Sequence, residues 1–283
     1  MKFCVSSPQK LVSFLQYSIE KKYSVKMMRR LLEANLCRVN GRIERFGSTR
    51  LKKGDVVEFA PSWKSVVERK ADLRPKFTTL YENGDVILVN KPEGWVCSEE
   101  NCKHTFGPSL HLVHRLDKDT TGVLALAKSL SARDDLVSLF AKREVEKEYL
   151  AIVDGVPKTP CGTQESFLVR RRSFEGQTIW GSGKKGLHAV TKWNVLGIGK
   201  DAALLQCLPL TGRTHQIRVH LTEMGHPILV DRQYATKFRC PFFVTRPLLH
   251  SYRLKIGDIA AQAPIPFDME DFLHASHLSY NPR

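Results

Sequence analysis

The chain has 283 residues, enough for about two globular domains, and 42% of them are apolar. Lys and Arg number 44 against 29 Asp and Glu, and this net charge of +15 points to a polyanionic partner. No uncharged apolar run approaches the roughly 20 residues that span a bilayer, and the first residues lack the apolar core of a secretory signal. We therefore expect a monomer of the cytoplasm with no membrane partner.

The seven cysteines are odd in number and irregularly spaced, which argues against a disulfide framework and for a reducing compartment. Cys97, Cys102 and His104 could suggest zinc, but a tetrahedral site needs a fourth ligand and the sequence has no second paired cluster. It also has no P-loop and no G-x-G-x-x-G motif after a strand. We therefore expect no metal and no cofactor.

Positive charge is concentrated in residues 1–76, which hold 18 Lys/Arg against 7 Asp/Glu. Residues 10–62 are predicted to form a small basic α+β domain of two helices and a hairpin. Ser24 can cap a helix that runs to about Leu36, and Asn40-Gly41 is a strong hairpin signal. One side of this helix is apolar, with Val25, Met27, Met28, Leu31, Leu32 and Leu36.

The opposite side of the helix is cationic, and the positive charge continues onto the hairpin. It could be an ordinary solvated face, but sustained like charge is unfavourable unless a polyanion relieves it. The segment also resembles the small RNA-binding domain shared with the ribosomal protein S-four family, through L-C-R-V-N-G-R and the ending K-K-G-D-V-V-E-F. The expected RNA-binding residues are Lys26, Arg29, Arg30, Arg38 and Arg42.

A charged linker is predicted over residues 63–76, followed by a larger domain over residues 77–275. Apolar runs predict strands at 123–127, 149–153, 189–195 and 203–208, and a helix at 131–142. Residues 215–224 suit a helix, in competition with a strand over 216–220. This mixture predicts an α+β fold built on a mixed, mostly antiparallel sheet with flanking helices.

The most informative string is H-R-L-D-K-D-T-T-G at residues 114–122, which places Asp117 between Arg115 and Lys118. A carboxylate on a loop that leads into a buried strand is held on a rigid element, as a reactive group requires. Neighbouring positive charge favours its ionised form. The alternative is a surface turn with a local ion pair.

The string resembles the signature of the RluA-type pseudouridine synthases, whose required aspartate matches Asp117. N-K-P-E-G at 90–94 resembles the motif that opens their catalytic domain. Tyr149, in K-E-Y, matches a tyrosine that packs on the target base. Arg218, in G-R-T-H-Q-I-R-V-H, matches an arginine that forms a salt bridge with the catalytic aspartate. His215 and His220 of the same string are expected to be structural hydrogen-bonding residues.

The resemblance implies an enzyme that isomerises uridine in RNA to pseudouridine and needs no cofactor. Tyr149 would hold the extracted base and Arg115 would occupy the space that the base leaves. Asp117 would act on the ribose, either by attack on C1′ or by removal of the 2′ proton. The alternative is a non-catalytic RNA-binding or ribosome-assembly protein.

The resemblance leaves the RNA substrate open. The basic domain favours large-subunit ribosomal RNA, with transfer RNA as the other possibility. The chain also departs from the family pattern in three places: only 21 residues separate Pro92 from His114, Val230 precedes Asp231 where Gly is usual, and 255–258 read K-I-G-D.

Overall fold

The structure is a computed structural model that describes residues 1–18, 24–33, 36–44, 46–60, 76–174, 177–235, 237–240 and 244–278. The chain divides into two compact units: Met1–Arg74 with Pro241–Arg246, and Pro75–Cys240 with Pro247–Arg283. The predicted linker lies outside the described residues except for Lys76.

The first unit is a small α+β arrangement around one apolar core. Its elements are β1 (Lys2–Cys4), β2 (Gln9–Lys10), α1 (Leu11–Ser18), α2 (Val25–Glu33), β3 (Cys37–Val39), β4 (Arg42–Ile43), β5 (Arg50–Leu51) and β6 (Val56–Phe59). Four strands form a sheet in the order β1-β6-β3-β4, and β2 pairs with β5. The hairpin turn at Asn40-Gly41 has positive φ at both residues, 51° and 77°, as the Asn-Gly signal predicts.

The apolar side of α2 faces the core of the first unit. Met28, Leu31 and Leu32 are at most 1% exposed, and the Ser24 hydroxyl accepts a hydrogen bond from the Met27 amide. Val25 is an exception, because it lies in the first turn and is 37% exposed.

Of the five predicted RNA-binding residues, Arg29 and Arg42 are exposed. The side chains of Lys26 and Arg30 lie outside the described part of the structure. The predicted RNA-binding role of Arg38 is disfavoured by its burial. Arg38 lies on β3 between β4 and β6, opposite Glu58 in register, and only 9% of it is exposed.

The second unit is built on an eleven-stranded sheet. In chain order its elements are β7 (Thr78–Glu82), β8 (Val86–Lys91), α3 (Glu99–Phe106), β9 (His111–Leu112), β10 (Thr121–Ala127), α4 (Leu130–Lys142), β11 (Val145–Asp154), β12 (Cys161–Phe174), β13 (Gln177–Gly183), β14 (Leu187–Ile198), β15 (Ala202–Pro209), α5 (Gln216–Glu223), β16 (Leu249–Ile256), β17 (Ile259–Gln262) and α6 (Phe267–Ala275).

The main path of this sheet runs β13-β12-β14-β15-β11-β16-β10-β8-β7, with β17 on β16 and β9 on β10. Among the described strand pairs, β10 and β16 are parallel and the others are antiparallel. The predicted α+β class with a mixed, mostly antiparallel sheet is therefore confirmed.

The central strand β10 is buried along its whole length, which is why residues 123–127 form an uninterrupted apolar run. Gly122 lies where this strand meets β16. Its φ is +108°, and a Cβ atom there would collide with the Ser251 carbonyl group. The glycine of the T-T-G string is therefore required for the pairing of β10 with β16.

Residues 216–223 form helix α5, so the competing strand prediction for 216–220 is wrong. The long hairpin of β12 and β13 was not predicted, because neither strand has a long apolar run: β12 has three consecutive arginines and an exposed serine near its end, and β13 contains two glycines. No helix in the described part of the chain is long and apolar enough to cross a membrane.

Candidate active site

A cavity of about 950 Å³ opens in the second unit, and Asp117 lies on its wall. The charged side chains of its lining are four arginines, two lysines and two aspartates: Arg115, Arg143, Arg213, Arg218, Lys118, Lys147, Asp117 and Asp119. This excess of positive charge suits a ligand with several negative charges.

Hydrogen bonds from Lys91, the last residue of β8, hold the loop that carries Asp117. The Lys91 side chain is fully buried, and its Nζ donates to the carbonyl oxygens of Pro92, Lys118 and Thr120 at 2.8–2.9 Å. Two of these carbonyl groups lie just after Asp117 in the chain. The Thr120 amide closes the turn by donating to the Asp117 carbonyl oxygen at 3.1 Å. One buried ammonium group therefore fixes the backbone on which Asp117 is presented.

His114, at the start of the same loop, is a structural residue. Its Nε2 accepts a hydrogen bond of 2.9 Å from the Ala125 amide, and its ring stacks on Phe140 at 4.6 Å between centroids. Burial, together with the positive charge of Lys147, lowers the pKa of His114 to about 3. The imidazole is therefore neutral and serves as an acceptor.

Arg218, on helix α5, joins Asp117 to a second carboxylate. Its Nη1 donates to Asp117 Oδ2 at 3.0 Å, while Nε and Nη2 bind the two oxygens of Asp231 at 2.7 and 2.8 Å. Nη2 also donates to Gln233 Oε1 at 2.6 Å. Burial opposes the charge on Arg218, but the hydrogen bonds and charges of Asp231 and Asp117 outweigh it and raise the pKa of the guanidinium group.

Two further side chains complete the surroundings of this ion pair. The ring of Tyr234 lies 5.0 Å from the Arg218 guanidinium carbon, and its hydroxyl group is 2.7 Å from His215 Nδ1. His215 Nε2 is 3.8 Å from Asp117 Oδ1. Burial lowers the pKa of His215, so the ring is neutral at pH 7.

Tyr149, on β11, lines the cavity at a point where the strand pairing is irregular. The register between β11 and β16 shifts between Glu148 and Tyr149. The Tyr149 hydroxyl group shares a hydrogen bond with the Ser251 side chain. Burial is the main cause that raises the pKa of Tyr149 to about 12, and the charge of Asp117 adds to it. The phenol is therefore neutral, and its ring forms part of the same wall as Asp117.

The sequence model of the family described as RNA pseudouridylate synthase matches residues 85–223. The "Ribosomal large subunit pseudouridine synthase D" of Vibrio cholerae is 31% identical over 271 residues, which are 84% of this chain and 82% of the relative. The chain belongs to the RluA-type RNA pseudouridine synthases. It is an enzyme of that class, and the expected isomerase activity is thereby confirmed.

Further comparisons agree with this family. The "Ribosomal large subunit pseudouridine synthase C" of the same species is 30% identical and covers 94% of this chain and 92% of the relative. Among solved structures, "Human RNA Pseudouridylate Synthase Domain Containing 4" matches with a TM-score of 0.61 and 26% identity, over 72% of this chain and 94% of that one.

The structure of this synthase brings the sequence-predicted residues Asp117, Tyr149, Arg218 and Arg115 to one cavity, where Arg115 is exposed at the lining. One detail differs from expectation. The resemblance implies a salt bridge between Arg218 and Asp117; the structure has this contact as a single hydrogen bond, and the two parallel hydrogen bonds of the guanidinium group go to Asp231.

Sequence reasoning missed four residues that support the site: Lys91, Asp231, Gln233 and Tyr234. In the sequence, Lys91 is marked only by its place in the N-K-P motif. Asp231 is marked only by Val230, which precedes it where glycine is usual. His220 bonds Thr191 and Ser166 through its two ring nitrogens, which confirms that it is a structural residue.

The cysteines of the possible zinc cluster serve as packing residues. Cys97 Sγ accepts from the Leu116 amide, and Cys102 Sγ donates to the Leu110 carbonyl oxygen, each at 3.4 Å. Burial raises the pKa of Cys102 to about 11, which disfavours the thiolate that zinc requires. His104 is exposed.

Proposed function

We propose that this synthase converts uridine to pseudouridine in large-subunit ribosomal RNA, with Asp117 as the catalytic carboxylate. The observation that carries the proposal is the hydrogen bond between Arg218 and Asp117 at the wall of a cation-lined cavity. The substrate is inferred from the curated relatives, which are named as synthases of the large ribosomal subunit.

The reaction begins when the target uridine leaves its stack, at a cost of a few kcal/mol. The ring of Tyr149 offers a flat, half-buried surface on which the extracted base can stack. Arg115 is exposed, and its guanidinium group can fill the space that the base leaves in the RNA. Together the two residues compensate for the lost stacking.

Asp117 then acts on the ribose so that the bond between N1 and C1′ breaks. It does so either by attack on C1′ or by removal of the 2′ proton. The base turns, C5 bonds to C1′, and the proton on C5 is lost while N1 gains one, so the overall change is an isomerisation. Arg218 holds the carboxylate in position throughout.

A substrate deuterated at C2′ distinguishes the two routes. Removal of the 2′ proton breaks the C2′–H bond, so that route predicts a primary kinetic isotope effect when the step limits single-turnover rates. Direct attack on C1′ leaves this bond intact and predicts a ratio close to one.

We further propose that the first unit, over residues 10–62, binds RNA through Arg29 and Arg42, with Lys26 and Arg30 on the same helix. The exposure of Arg29 and Arg42 supports this, as does the concentration of positive charge in residues 1–76. We also propose that the protein acts in the cytoplasm as a monomer. Its seven free cysteines suit a reducing compartment.

The test is carbodiimide mapping of pseudouridine in RNA from cells that contain or lack the protein. A ribosomal RNA signal that disappears without the protein, returns with the wild type and does not return with Asp117→Asn supports the proposal. A signal lost only from transfer RNA would refute the proposed substrate. Full activity of Asp117→Asn on purified RNA would refute the assigned role.

A further inference from the structure

Lys147 is the first residue of the K-E-Y motif. The reaction proposed for Asp117 gives Lys147 no role. It lies on β11, two residues before Tyr149, and lines the same cavity. Alternate residues of a strand share a face, and at about 3.3 Å per residue the two lie about 7 Å apart. A nucleotide whose base stacks on Tyr149 therefore brings its own backbone within reach of the Lys147 ammonium group.

The ammonium group of Lys147 is poorly satisfied by the protein. Its hydrogen bond to the Thr211 carbonyl oxygen is long, at 3.4 Å, and no carboxylate of the described residues forms a salt bridge with it. A half-buried lysine without an anionic partner is unusual, because burial of an unpaired charge is unfavourable.

The neighbours of Lys147 add further positive charge. Arg143, exposed at the end of α4, interacts repulsively with Lys147. Arg213 follows the Thr211-Gly212 turn that Lys147 contacts, and its Nε is fixed by the His188 carbonyl oxygen at 3.1 Å. Burial, and then the charge of Arg143, lowers the pKa of Lys147. An anion bound here would relieve both effects.

We propose that Lys147, with Arg143 and Arg213 beside it, forms a subsite for a backbone phosphodiester of the RNA next to the extracted uridine. The inference rests on the proposed function for the nature of the ligand, and it adds a residue that positions the substrate. The site follows from the fold: β11 presents the base-stacking ring and the cation to the same cavity, and the turn before α5 contacts the Lys147 ammonium group through Thr211.

The first experiment measures the affinity of the full-length protein for single-stranded oligouridine at several salt concentrations. Lys147→Met keeps the aliphatic stem and removes the charge. We expect it to bind about tenfold more weakly at low salt. We also expect the slope of log affinity against log salt to become shallower by about 0.7, the value for one phosphate contact to a single strand.

Two matched variants isolate the charge at this position. Lys147→Arg keeps a cation and is expected to retain most of the slope. Lys255→Met makes the same substitution outside the cavity lining, where the lysine pairs with Glu146 at 2.8 Å, and is expected to bind like the wild type. An unchanged slope for Lys147→Met would overturn the proposal. A slope that Lys255→Met changes equally would also overturn it.

A second measurement reads Lys147 directly and needs no catalysis. Acylation of lysine amines, followed by mass spectrometry of peptides, reports each site separately. We expect oligouridine to protect Lys147 and not Lys255, and the protection to fade as salt increases. Labelling of Lys147 that RNA leaves unchanged would refute the subsite.

These results separate the subsite from the proposed function. A protein that makes no pseudouridine but shows the Lys147-dependent slope would refute the proposed reaction and keep the subsite. A protein that makes pseudouridine but whose salt slope does not depend on Lys147 would support the proposed reaction and refute the subsite. Thermal unfolding shows whether Lys147→Met is folded. Its melting temperature is expected to be equal to or higher than that of the wild type, because the substitution removes an unpaired half-buried charge.

Discussion

Asp231 binds Arg218 through two hydrogen bonds, of 2.7 and 2.8 Å, whereas Asp117 receives one of 3.0 Å. Asp231 is 1% exposed and Asp117 has 28% of its side chain exposed, so the tighter of the two contacts is the buried one. Asp231 thus fixes the guanidinium plane, and the remaining Nη1 is aimed at the carboxylate that faces the cavity. The arginine is oriented before RNA arrives.

The variant Asp231→Asn is expected to lower kcat about 100-fold, because Arg218 loses the anion that fixes its plane and misplacement of a catalytic group by about 1 Å has effects of that order. Asp231 is buried and therefore not available to contact RNA, so KM should change little. Steady-state pseudouridine formation by the purified variant at several RNA concentrations gives both values. Asp258→Asn, in the exposed turn between β16 and β17, is the control. A kcat within threefold of the wild type would show that Asp231 does not orient Arg218.

Replacement of Lys91 is a second way to displace Asp117 without changing Asp117 itself. Lys91→Met leaves three carbonyl oxygens without their donor, two of them in the Asp117 loop. We expect a loss of about 3 kcal/mol in the free energy of unfolding, measured in urea, and a lower kcat in the molecules that remain folded. Lys103→Met, on the exposed face of α3, should change neither. A stable Lys91→Met protein with normal kcat would contradict the anchoring role.

The sequence was sufficient for the parts of the site that are encoded in short strings. Asp117 lies in a charged loop before an apolar strand, and such a pattern can be recognised from neighbouring residues alone. The second partner of Arg218, Asp231, could not be found in this way, because that contact depends on how α5 packs. The burial of Arg38 was missed for a similar reason: the position of β3 inside its sheet is a tertiary property.

Val230 shows how a departure in sequence can mark a structural feature. The family usually has glycine before this aspartate, and Val230 has φ of +63°, a conformation that β-branched residues strongly disfavour. The strain lies next to Asp231, the residue that orients Arg218. The sequence indicated the unusual position, and only the backbone shows why glycine suits it.

Gly122 is expected to tolerate no side chain. In Gly122→Ala the new methyl group would overlap the backbone of Ser251, and the φ of +108° is unfavourable for alanine. We expect the free energy of unfolding to fall by more than about 3 kcal/mol in urea titrations. Gly84→Ala, where nothing lies within 4 Å of the added Cβ, should change it by less than about 0.5 kcal/mol. Similar losses for the two variants would mean that β10 and β16 can separate without penalty.

The stability of the second unit should fall with acid in a way that depends on His114. Its pKa is about 3 in the folded protein against 6.5 ordinarily, so the unfolded chain binds the additional proton between these values. The contribution of the neutral His114 ring to the free energy of unfolding is therefore complete above about pH 6.5 and is lost progressively as pH falls towards 3. Between pH 7 and pH 5 the loss due to this residue is about 1–2 kcal/mol.

The measurement is urea unfolding at pH 7 and pH 5 for the wild type, His114→Gln and His104→Gln. The glutamine carbonyl oxygen can still accept from the Ala125 amide but does not titrate, so His114→Gln should lose about 1–2 kcal/mol less than the wild type over this interval. His104 is exposed, and its replacement should leave the pH dependence unchanged. Equal acid sensitivity of all three proteins would show that His114 can be protonated in the folded protein without disrupting its stack on Phe140. That result would contradict the neutral, accepting state of the His114 ring.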